Sequence, residues 1–265
     1  DSEIPTARYI QCDAATNVQE LELHFPVVVK PADSNGSAGV RKANNKGELA
    51  RYFTQAIEIS RVKEAVVEEF KEGIEVSVDC VVIDCKAHVI MTRQKYNIID
   101  GEGAVIQCYA SLAPANISES AQQSIHSIAQ QITHAFSLKN TSLLIQVIVK
   151  NDEVYVIEFS PRIGGGLSFE TIFRNTGFDM IDFTVDTYLN LKKAYVWNRP
   201  DRLFTANNVY ASQCVFGSVS GIEKLKSAGI IEDFFFYKTV GMETGLDMSS
   251  KSRVGAFIIS AKNND

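Results

Sequence analysis

The chain has 265 residues, a mass of 29.3 kDa and a formal net charge of −6, a length that suits one large domain or two lobes. The negative balance, without a lysine-rich tail, argues against a protein whose main task is binding nucleic acid, although a small local basic patch stays open. The longest apolar runs are only as long as strands, so we expect no membrane-spanning segment and a cytoplasmic location. The five cysteines form no CxxC pair and the four histidines show no metal-ligand spacing, which favours buried, reduced thiols over disulfides or zinc.

The first predicted elements are two strands separated by a glycine-containing loop. The first residues, DSEIPTARYIQC, resemble the end of one element followed by the start of a strand, and we expect a segment before them. Residues 27–29 predict a buried strand that ends at Lys30 and Pro31, because proline cannot continue a hydrogen-bonded ladder. Residues 32–39 form a loop of small polar residues and glycine, which has no Walker pattern. Its backbone N–H groups and the lysine at its base could bind a polyphosphate. A flexible hairpin tip is the alternative interpretation of the same residues.

A surface helix is predicted over residues 46–61, where apolar residues recur at helical spacing. The segment AVVEEFKEGIEVSVD then predicts two strands joined by a turn at Gly73. Glu68 and Glu75 flank this turn, so both side chains can point into one cleft. A solvated acidic loop is the alternative interpretation.

The middle of the chain predicts a strand over residues 86–92 and a polar loop over a site at residues 93–107. Ser118 is the expected N-cap of a helix that extends to Phe136, with its isoleucines on one face. Pro200 suggests a domain boundary. Further helices are predicted at residues 168–175, 178–190 and 221–228, and short strands within YASQCVFG, FFFYK and RVGAFIISA.

The most informative stretch is IQVIVKNDEVYVIEFSPRIGGG, at residues 145–166. Two runs rich in β-forming residues flank the turn formers Asn151, Asp152 and Glu153, which predicts a β-hairpin with a three-residue loop. In that register Gln146 lies opposite Glu158.

The same register separates a polar face of the hairpin from an apolar face. A carboxylate, a carboxamide and a hydroxyl in adjacent positions are costly unless a ligand or cation satisfies them, although an ordinary half-exposed sheet face is the alternative. The predicted polar face carries Leu144, Gln146, Ile148, Val156, Glu158 and Ser160, and the apolar face carries Ile145, Val147, Tyr155, Ile157 and Phe159.

Three motifs in this order resemble the ATP-grasp superfamily of carboxylate-activating ligases, especially the branch near carbamoyl-phosphate synthase large subunits and L-amino acid ligases. They are PVVVKPADSNGSAGV, VEEFKEGIEVSVD and QVIVKNDEVYVIEFSPR, and the resemblance covers nearly the whole chain. It implies an α+β ATP-grasp fold, in which two lobes with mainly antiparallel sheets clasp a nucleotide. The implied division is an N-terminal lobe at residues 1–67, a C-terminal lobe at 68–200 and cap strands at 201–265.

The resemblance also implies where ATP binds. Lys30 would contact the phosphates under a mobile flap formed by the loop at residues 32–39. The hinge backbone at Glu69 and Phe70 would meet the adenine, with Glu68 near its amino group and Glu75 at the ribose hydroxyls. The flap positions expected to contact the nucleotide are Ser34, Gly36, Ser37 and Gly39.

The central hairpin resembles the metal-binding hairpin of the family, so Gln146, Glu158 and Ser160 are the implied ligands of Mg²⁺ or Mn²⁺. The usual family motif is E-x-N-x-R, and in this chain Ser160 occupies the position of the asparagine. A serine oxygen is a shorter ligand, which would weaken a second metal. Arg162 matches the family arginine and would hold the carboxylate or the developing oxyanion, so Lys30 and Arg162 are the implied catalytic residues.

The implied reaction is phosphorylation of a small-molecule carboxylate by ATP, followed by displacement of phosphate by an amine or another nucleophile. Family members normally carry a preceding domain, so we expect a missing N-terminal domain of the same protein, and a homodimer is also open. The alternative is a non-catalytic nucleotide-binding module, which Ser160 favours and the retained Lys30, Glu158 and Arg162 disfavour. Candidate substrate contacts are Arg93, Lys95, Gly165, Gly166 and Arg174, although the charged ones fit equally well as solvated side chains.

Overall fold

The computed structural model describes residues 3–34, 36–99, 106–191, 193–245 and 252–262, in which twelve strands and five α-helices form. The strands are β1 (Tyr9–Asp13), β2 (Val27–Pro31), β3 (Arg41–Ala43), β4 (Glu64–Glu69), β5 (Ile74–Ile83), β6 (Lys86–Ile99), β7 (Ile106–Ala113), β8 (Thr141–Lys150), β9 (Glu153–Ser160), β10 (Arg202–Tyr210), β11 (Asp233–Phe236) and β12 (Arg253–Lys262). The helices are α1 (Lys46–Ile59), α2 (Glu119–Ala135), α3 (Ser168–Thr176), α4 (Met180–Tyr188) and α5 (Ile222–Ser227).

A four-stranded sheet in the order β1-β4-β2-β3 packs one face on α1. Val27 and Val29 alternate towards the helix, where they meet Leu49 and Phe53. The side chain of Asn45 caps α1 by accepting from the Glu48 backbone N–H at 3.0 Å. The predicted helix over residues 46–61 is therefore confirmed, with an end two residues earlier.

An eight-stranded antiparallel sheet in the order β11-β12-β10-β7-β6-β5-β8-β9 holds the second core. One face packs on α2, and α3 and α4 cover part of the opposite face. Along β5, Val76, Val78 and Cys80 point to α2. The intervening residues of β5 therefore point to the other face, which carries the polar side chains described below. We call this second face the site face.

The α+β class and the two antiparallel sheets confirm the predicted fold class. The predicted helices at residues 118–136, 168–175, 178–190 and 221–228 also form, within two residues of their predicted ends. Strands β10, β11 and β12 are hydrogen-bonded into the same sheet as the central hairpin. The division at residues 67 and 200 remains a proposal.

Two sequence predictions of secondary structure are wrong. Residues 93–99 continue β6 instead of forming a loop, because Gln94, Lys95 and Tyr96 pair with β7; residues 100–105 lie outside the described residues. The strand predicted within YASQCVFG lies earlier in the chain, whereas β11 and β12 begin within one residue of their predicted positions. β10 ends at Tyr210, and YASQCVFG contributes only an isolated bridge between Val215 and Glu243.

The central hairpin keeps the predicted pairing at its functional positions, although its turn differs. Asn151 and Asp152 both have positive φ, 49° and 69°, and form a two-residue turn, so Lys150 pairs with Glu153. A register shift beyond Gln146 then adds one residue to β9 and restores the pairing of Gln146 with Glu158 and of Leu144 with Ser160. The same shift places Val156 in the core and opposite Val147, which corrects its predicted place on the polar face.

Two further features concern the whole chain. None of the helices in the described part combines the length and hydrophobicity needed to span a bilayer. All five cysteines are free thiols. Cys12 and Cys80 are buried as expected, whereas Cys85 and Cys214 are exposed.

Gly73 joins the segment after β4 to the central hairpin by a close backbone approach. Its φ is +153°, and a Cβ at this position would lie 2.5 Å from the Val149 carbonyl oxygen. Beside it, the Lys71 ammonium lies 4.4 Å from the centre of the Tyr155 ring. The residues predicted as the hinge are therefore fixed against the hairpin.

We expect Gly73→Ala to lower the free energy of unfolding by about 2 kcal/mol, because the new methyl group must displace main-chain atoms. Urea denaturation measures this change. The control is Gly217→Ala, since a Cβ at Gly217 meets no described atom within 4 Å. Equal effects of the two substitutions would contradict the close approach.

Candidate functional site

The site face carries a row of polar side chains across neighbouring strands. Gln146 on β8 lies opposite Ser77 on β5, which in turn lies opposite Arg93 on β6. On the outer side of this row, Glu158 on β9 lies opposite Gln146. The structure thus brings together three residues that the sequence singles out: Gln146, Glu158 and Arg93.

Lys95 of β6 links this row to Glu75 of β5. Its ammonium donates to Glu75 Oε1 at 2.5 Å and to Gln146 Oε1 at 2.7 Å. Asn97 Nδ2 donates to the other oxygen of the same carboxylate, Glu75 Oε2, at 2.6 Å. The side chains of Lys95 and Glu75 are only 18% and 17% exposed, so both charges lie largely out of water and depend on each other.

Glu158 differs from the other carboxylates of the site because nothing in the described part of the chain neutralises it. It is exposed, and neither an ion pair nor a hydrogen bond to its carboxylate is formed by the described residues. A charged oxygen ligand is thus available beside an amide oxygen and a hydroxyl.

The predicted phosphate lysine and the predicted adenine-binding glutamate contact each other. Lys30 Nζ lies 2.8 Å from Glu68 Oε2, with 23% and 14% of the two side chains exposed. In addition, the Lys42 ammonium lies 4.0 Å from the centre of the Phe70 ring. The segment at residues 68–70 is therefore flanked by two lysines from the four-stranded sheet.

The glycine-containing loop is closed by its own hydrogen bonds. Ser34 Oγ donates to the Ala38 carbonyl at 2.6 Å, and Gly36 and Ser37 both have φ of 60°. Gly39 is buried, and a Cβ there would lie 2.8 Å from Pro31 and from Ile59, so this glycine is required by packing. Contact of the loop with a nucleotide and its mobility stay predictions.

The hinge backbone is held by two neighbouring segments. The Glu69 N–H donates to the Arg8 carbonyl at 2.9 Å, and the Phe70 N–H donates to the Pro26 carbonyl at 3.2 Å. The Lys71 ammonium lies 2.8 Å from the Glu69 carboxylate and, with its hydrogen bond, holds the pKa of that carboxyl below its usual range. The predicted contact of Glu69 and Phe70 with adenine stays a prediction.

Arg93 forms a buried ion pair, so in this structure its carboxylate partner is Asp79 and not a substrate. Arg93 Nε lies 2.6 Å from Asp79 Oδ2 and a second nitrogen lies 3.2 Å from Oδ1, with 8% and 0% of the side chains exposed. A Cβ at Gly164 would collide with Asp79 and lie 2.9 Å from Arg93. The pair therefore supports the backbone at the start of the glycine run.

The remaining predicted residues are less closely connected to this row. Arg162 is exposed and donates to the Ile163 carbonyl at 2.9 Å. Gly165 and Gly166 are exposed, and a Cβ at either would meet no described atom within 4 Å. Arg174 contacts three carboxylates, those of Glu170, Glu232 and Asp233, at 3.1, 3.5 and 3.2 Å. Its side chain therefore joins α3 to β11, and a substrate contact stays a prediction.

The structure adds several polar residues that the sequence interpretation missed. Asp79 and Ser77 continue the period-two polar pattern that begins at Glu75. The alternation along EVSVD could therefore have predicted that all three side chains share one face of the strand. Burial raises the pKa of the Cys108 thiol, the cations of Lys95, Arg253 and Arg93 act in the opposite direction, and Glu75 adds to the rise. Four charged groups thus affect the pKa of this thiol. Nothing in the sequence around Arg253 indicated that this residue lies on the site face.

Comparison with known families gives the context for this site. The ATP-grasp domain family matches residues 23–170, which include the glycine-containing loop, the hinge and the central hairpin. The chain belongs to the ATP-grasp family. The carbamoyl phosphate synthase large chain of a Thermoanaerobacter species is 29% identical over 173 residues, which are 65% of this chain and 16% of that protein.

Two solved structures share the fold of nearly the whole chain. The L-amino acid ligase from Bacillus licheniformis superposes with a TM-score of 0.81 at 20% identity, covering 99% of this chain and 64% of the ligase. The biotin carboxylase domain of Hydrogenobacter thermophilus 2-oxoglutarate carboxylase, solved with MgADP, ADP and bicarbonate, has a TM-score of 0.72 at 14% identity, covering 98% and 59%. The chain thus spans less than two thirds of the proteins it matches.

The metal that the ATP-grasp family implies is compatible with the residues on the hairpin. No group of three or more His, Cys, Asp or Glu side chains that could hold a metal is present among the described residues, so the site is not an all-carboxylate cage. Magnesium commonly uses one or two carboxylates together with phosphate oxygens and water. Glu158, the Ser160 hydroxyl and the second lone pair of the Gln146 amide oxygen, whose first accepts from Lys95, combine with nucleotide phosphates into that kind of oxygen ligand set.

We expect Asp79→Asn to lower the free energy of unfolding by about 3 kcal/mol, because it leaves the Arg93 guanidinium buried without a charge partner. Urea denaturation measures the change. A double variant, Asp79→Leu with Arg93→Met, removes both charges and should recover most of the loss.

The matched control for this prediction is Glu72→Gln, which breaks the exposed pair of Glu72 with Lys150. An exposed pair contributes about 1 kcal/mol or less, so its loss should be small. A cost of Asp79→Asn no greater than that of Glu72→Gln would show that the buried pair does not stabilise the fold.

Proposed function

We propose that this chain is the nucleotide-binding part of an ATP- and Mg²⁺-dependent ligase, which activates a small-molecule carboxylate as an acyl phosphate for attack by an amine. The observation that carries the proposal is the pairing of Gln146 with Glu158 on the site face, where Glu158 is the carboxylate left without a described partner. Membership of the ATP-grasp family supports the same conclusion.

The proposed reaction has two steps. A carboxylate oxygen of the first substrate attacks the γ-phosphorus of ATP, and the bond to the leaving ADP breaks. The amine nitrogen then attacks the acyl carbon, the C–O bond to phosphate breaks, and the nitrogen loses a proton. Both steps build negative charge on oxygen, so fixed cations and dipoles contribute more than covalent catalysis.

The residues of the chain have distinct roles in this proposal. Glu158, Gln146 and Ser160 would hold Mg²⁺ or Mn²⁺, which when bound neutralises phosphate charge. Lys30 exchanges its contact with Glu68 for the nucleotide phosphates, and Arg162, exposed after β9, binds the carboxylate that is activated. Glu68, Glu69, Phe70 and Glu75 line the adenosine side, and Ser34, Gly36, Ser37 and Gly39 cover the phosphates.

Lys95 has a positioning role in the proposed site. Its two hydrogen bonds fix the Gln146 amide with its nitrogen directed away from Lys95, and they hold Glu75 in place. An ammonium next to a metal ligand also reduces the excess of negative charge in the site before nucleotide enters.

A non-catalytic nucleotide-binding module is the second candidate, and Ser160 at the asparagine position favours it. A phosphate-release screen of the full-length protein with ATP, Mg²⁺, amino acids and small carboxylates separates the two candidates. The ligase predicts ATP hydrolysis that depends on both a carboxylate and an amine. Nucleotide binding in calorimetry without release for any substrate pair would favour the module.

We expect Glu158→Gln to lower the turnover number about 100-fold, because it removes the charge of the proposed metal ligand with almost no change of shape. The free energy of unfolding should stay the same, since the exposed carboxylate has no described partner to lose. The control is Glu153→Gln on the same strand, which makes the same charge change at the turn. Activity of Glu158→Gln equal to that of the control would contradict the metal assignment.

Ser160→Asn restores the residue that is usual in the family, and we expect it to keep activity. A longer amide ligand should lower the Mg²⁺ concentration that gives half-maximal rate, because its oxygen reaches farther than a hydroxyl. Titration of the phosphate-release rate with Mg²⁺ measures this. A higher Mg²⁺ requirement would show that Ser160 is not at a metal position.

A further inference from the structure

Helix α4 is apolar on two faces. On its inner face, Met180 and Phe183 pack into the core beneath the helix. Its outer face carries a second stripe at the spacing i, i+4, i+7 and i+8, which consists of Ile181, Val185, Tyr188 and Leu189. We call this set the α4 stripe. A helix that is apolar all round is normally buried, so the outer stripe needs a partner as well.

The α4 stripe is exposed in the part of the chain that the structure describes. The exposed fraction is 47% for Ile181, 49% for Val185, 81% for Tyr188 and 62% for Leu189. Single exposed apolar side chains are common on protein surfaces, but several in one continuous stripe indicate an interaction site.

Two more exposed apolar side chains follow directly after the helix. The Leu191 N–H donates to the Asp186 carbonyl at 2.9 Å, and the Tyr195 hydroxyl donates to the Asp186 carboxylate at 3.1 Å, so this segment runs beside α4. Leu191 is 49% exposed, and Val196, next to Tyr195, is 84% exposed. The exposed apolar residues thus extend from the helix into the segment after it.

The amount of apolar surface suits a dimer of this chain. The exposed parts of these six side chains amount to roughly 500 Å² per copy, at about 60–120 Å² for a fully exposed aliphatic side chain and about 200 Å² for tyrosine. A standard interface buries about 800 Å² on each partner, and about 65% of it is apolar in homodimers, which is again roughly 500 Å².

The α4 stripe is also complementary to itself about a twofold axis. Its midpoint is Val185, since Ile181 and Leu189 lie four residues before and after it. Two antiparallel helices that cross at Val185 would set Ile181 of one copy against Leu189 of the other. The exposed Asp182 would face Tyr188 of the other copy, whose hydroxyl can donate to a carboxylate. A parallel arrangement would instead bring two Asp182 carboxylates together.

The charge of the helix argues against a membrane surface as the partner. Asp179 is the N-cap of α4 and Asp182 lies in its first turn, and the helix contains no lysine or arginine. Helices that lie on membranes are usually rich in lysine and arginine on their polar face. A second copy of the chain meets no such conflict, because the antiparallel arrangement keeps the acidic ends of the two helices apart.

We propose that the α4 stripe binds a second copy of this chain, with the two α4 helices antiparallel and the twofold axis at Val185. The proposal is independent of the ligase function, since it concerns a surface that carries none of the proposed metal or nucleotide contacts.

The test is analytical ultracentrifugation of the full-length protein over a range of concentrations. We expect the wild type to form a dimer that dissociates on dilution. Val185→Lys and Val185→Glu should each weaken dimerisation about 100-fold, because each places two like charges at the axis. In an equimolar mixture of the two variants, lysine faces glutamate, so heterodimers should form at least about tenfold more tightly than either variant dimerises alone.

The matched control is Val240→Lys, which adds the same charge at an exposed valine outside the α4 stripe and should leave the dimer unchanged. Urea denaturation checks that the variants fold. If the Val185 variants do not fold, Tyr188→Glu decides the question, because it sets a second carboxylate against Asp182 of the other copy and should weaken the dimer as strongly.

Three results would overturn the inference. The first is a wild type that stays monomeric at the highest concentration, whether the α4 stripe is then covered by another part of the same protein, by a different protein or by lipid vesicles. The second is a dimer that the variants in the stripe leave as tight as Val240→Lys does. The third is a mixture of Val185→Lys and Val185→Glu that dimerises no better than either variant alone.

Discussion

The hydrogen bonds of the Lys95 ammonium to Glu75 and Gln146 are the interaction on which the site depends. They connect β6, β5 and β8, and they fix a carboxylate and an amide that would otherwise be free to rotate. Burying three polar groups on a sheet face is favourable only when each has a partner, and Lys95 supplies it for the other two. Glu158, one strand farther out, keeps its charge available for a ligand. The site therefore has one internally neutralised half and one half prepared for a cation.

Irregularities in strand pairing determine which side chains reach this face. The register shift in the hairpin returns Glu158 to its place opposite Gln146, and the shift in β12 brings Arg253 onto the site face. A third shift, between Tyr96 and Asn97, allows Asn97 to pair with Cys108 while its amide reaches Glu75. Each of these three shifts interrupts regular pairing and places a polar side chain on the site face.

The sequence predicted most of the elements and the main pairing of the site, and its errors have physical causes. The limits of α1 followed from helical spacing and the start of α2 from its cap Ser118, which are local signals. The pairing of Gln146 with Glu158 was correct although the turn length was wrong, because the bulge compensated for the shorter turn. Polar letters at residues 93–99 suggested a loop, but their partners lie on other strands, and pairing between distant strands cannot be read from local composition. The roles of Arg93 and Arg174 were also open. The sequence alone does not show whether an arginine is neutralised by a carboxylate of the protein or by a substrate.

The central claim is that the β8–β9 hairpin binds the metal of a nucleotide complex. Anomalous scattering from manganese, in crystals of the full-length protein grown with MnADP, locates such an ion without depending on activity. We expect an anomalous peak at coordination distance from the Glu158 carboxylate and the Gln146 amide oxygen, with the adenine near Phe70. Bound ADP with manganese away from Glu158, or nucleotide at another surface, would contradict the account.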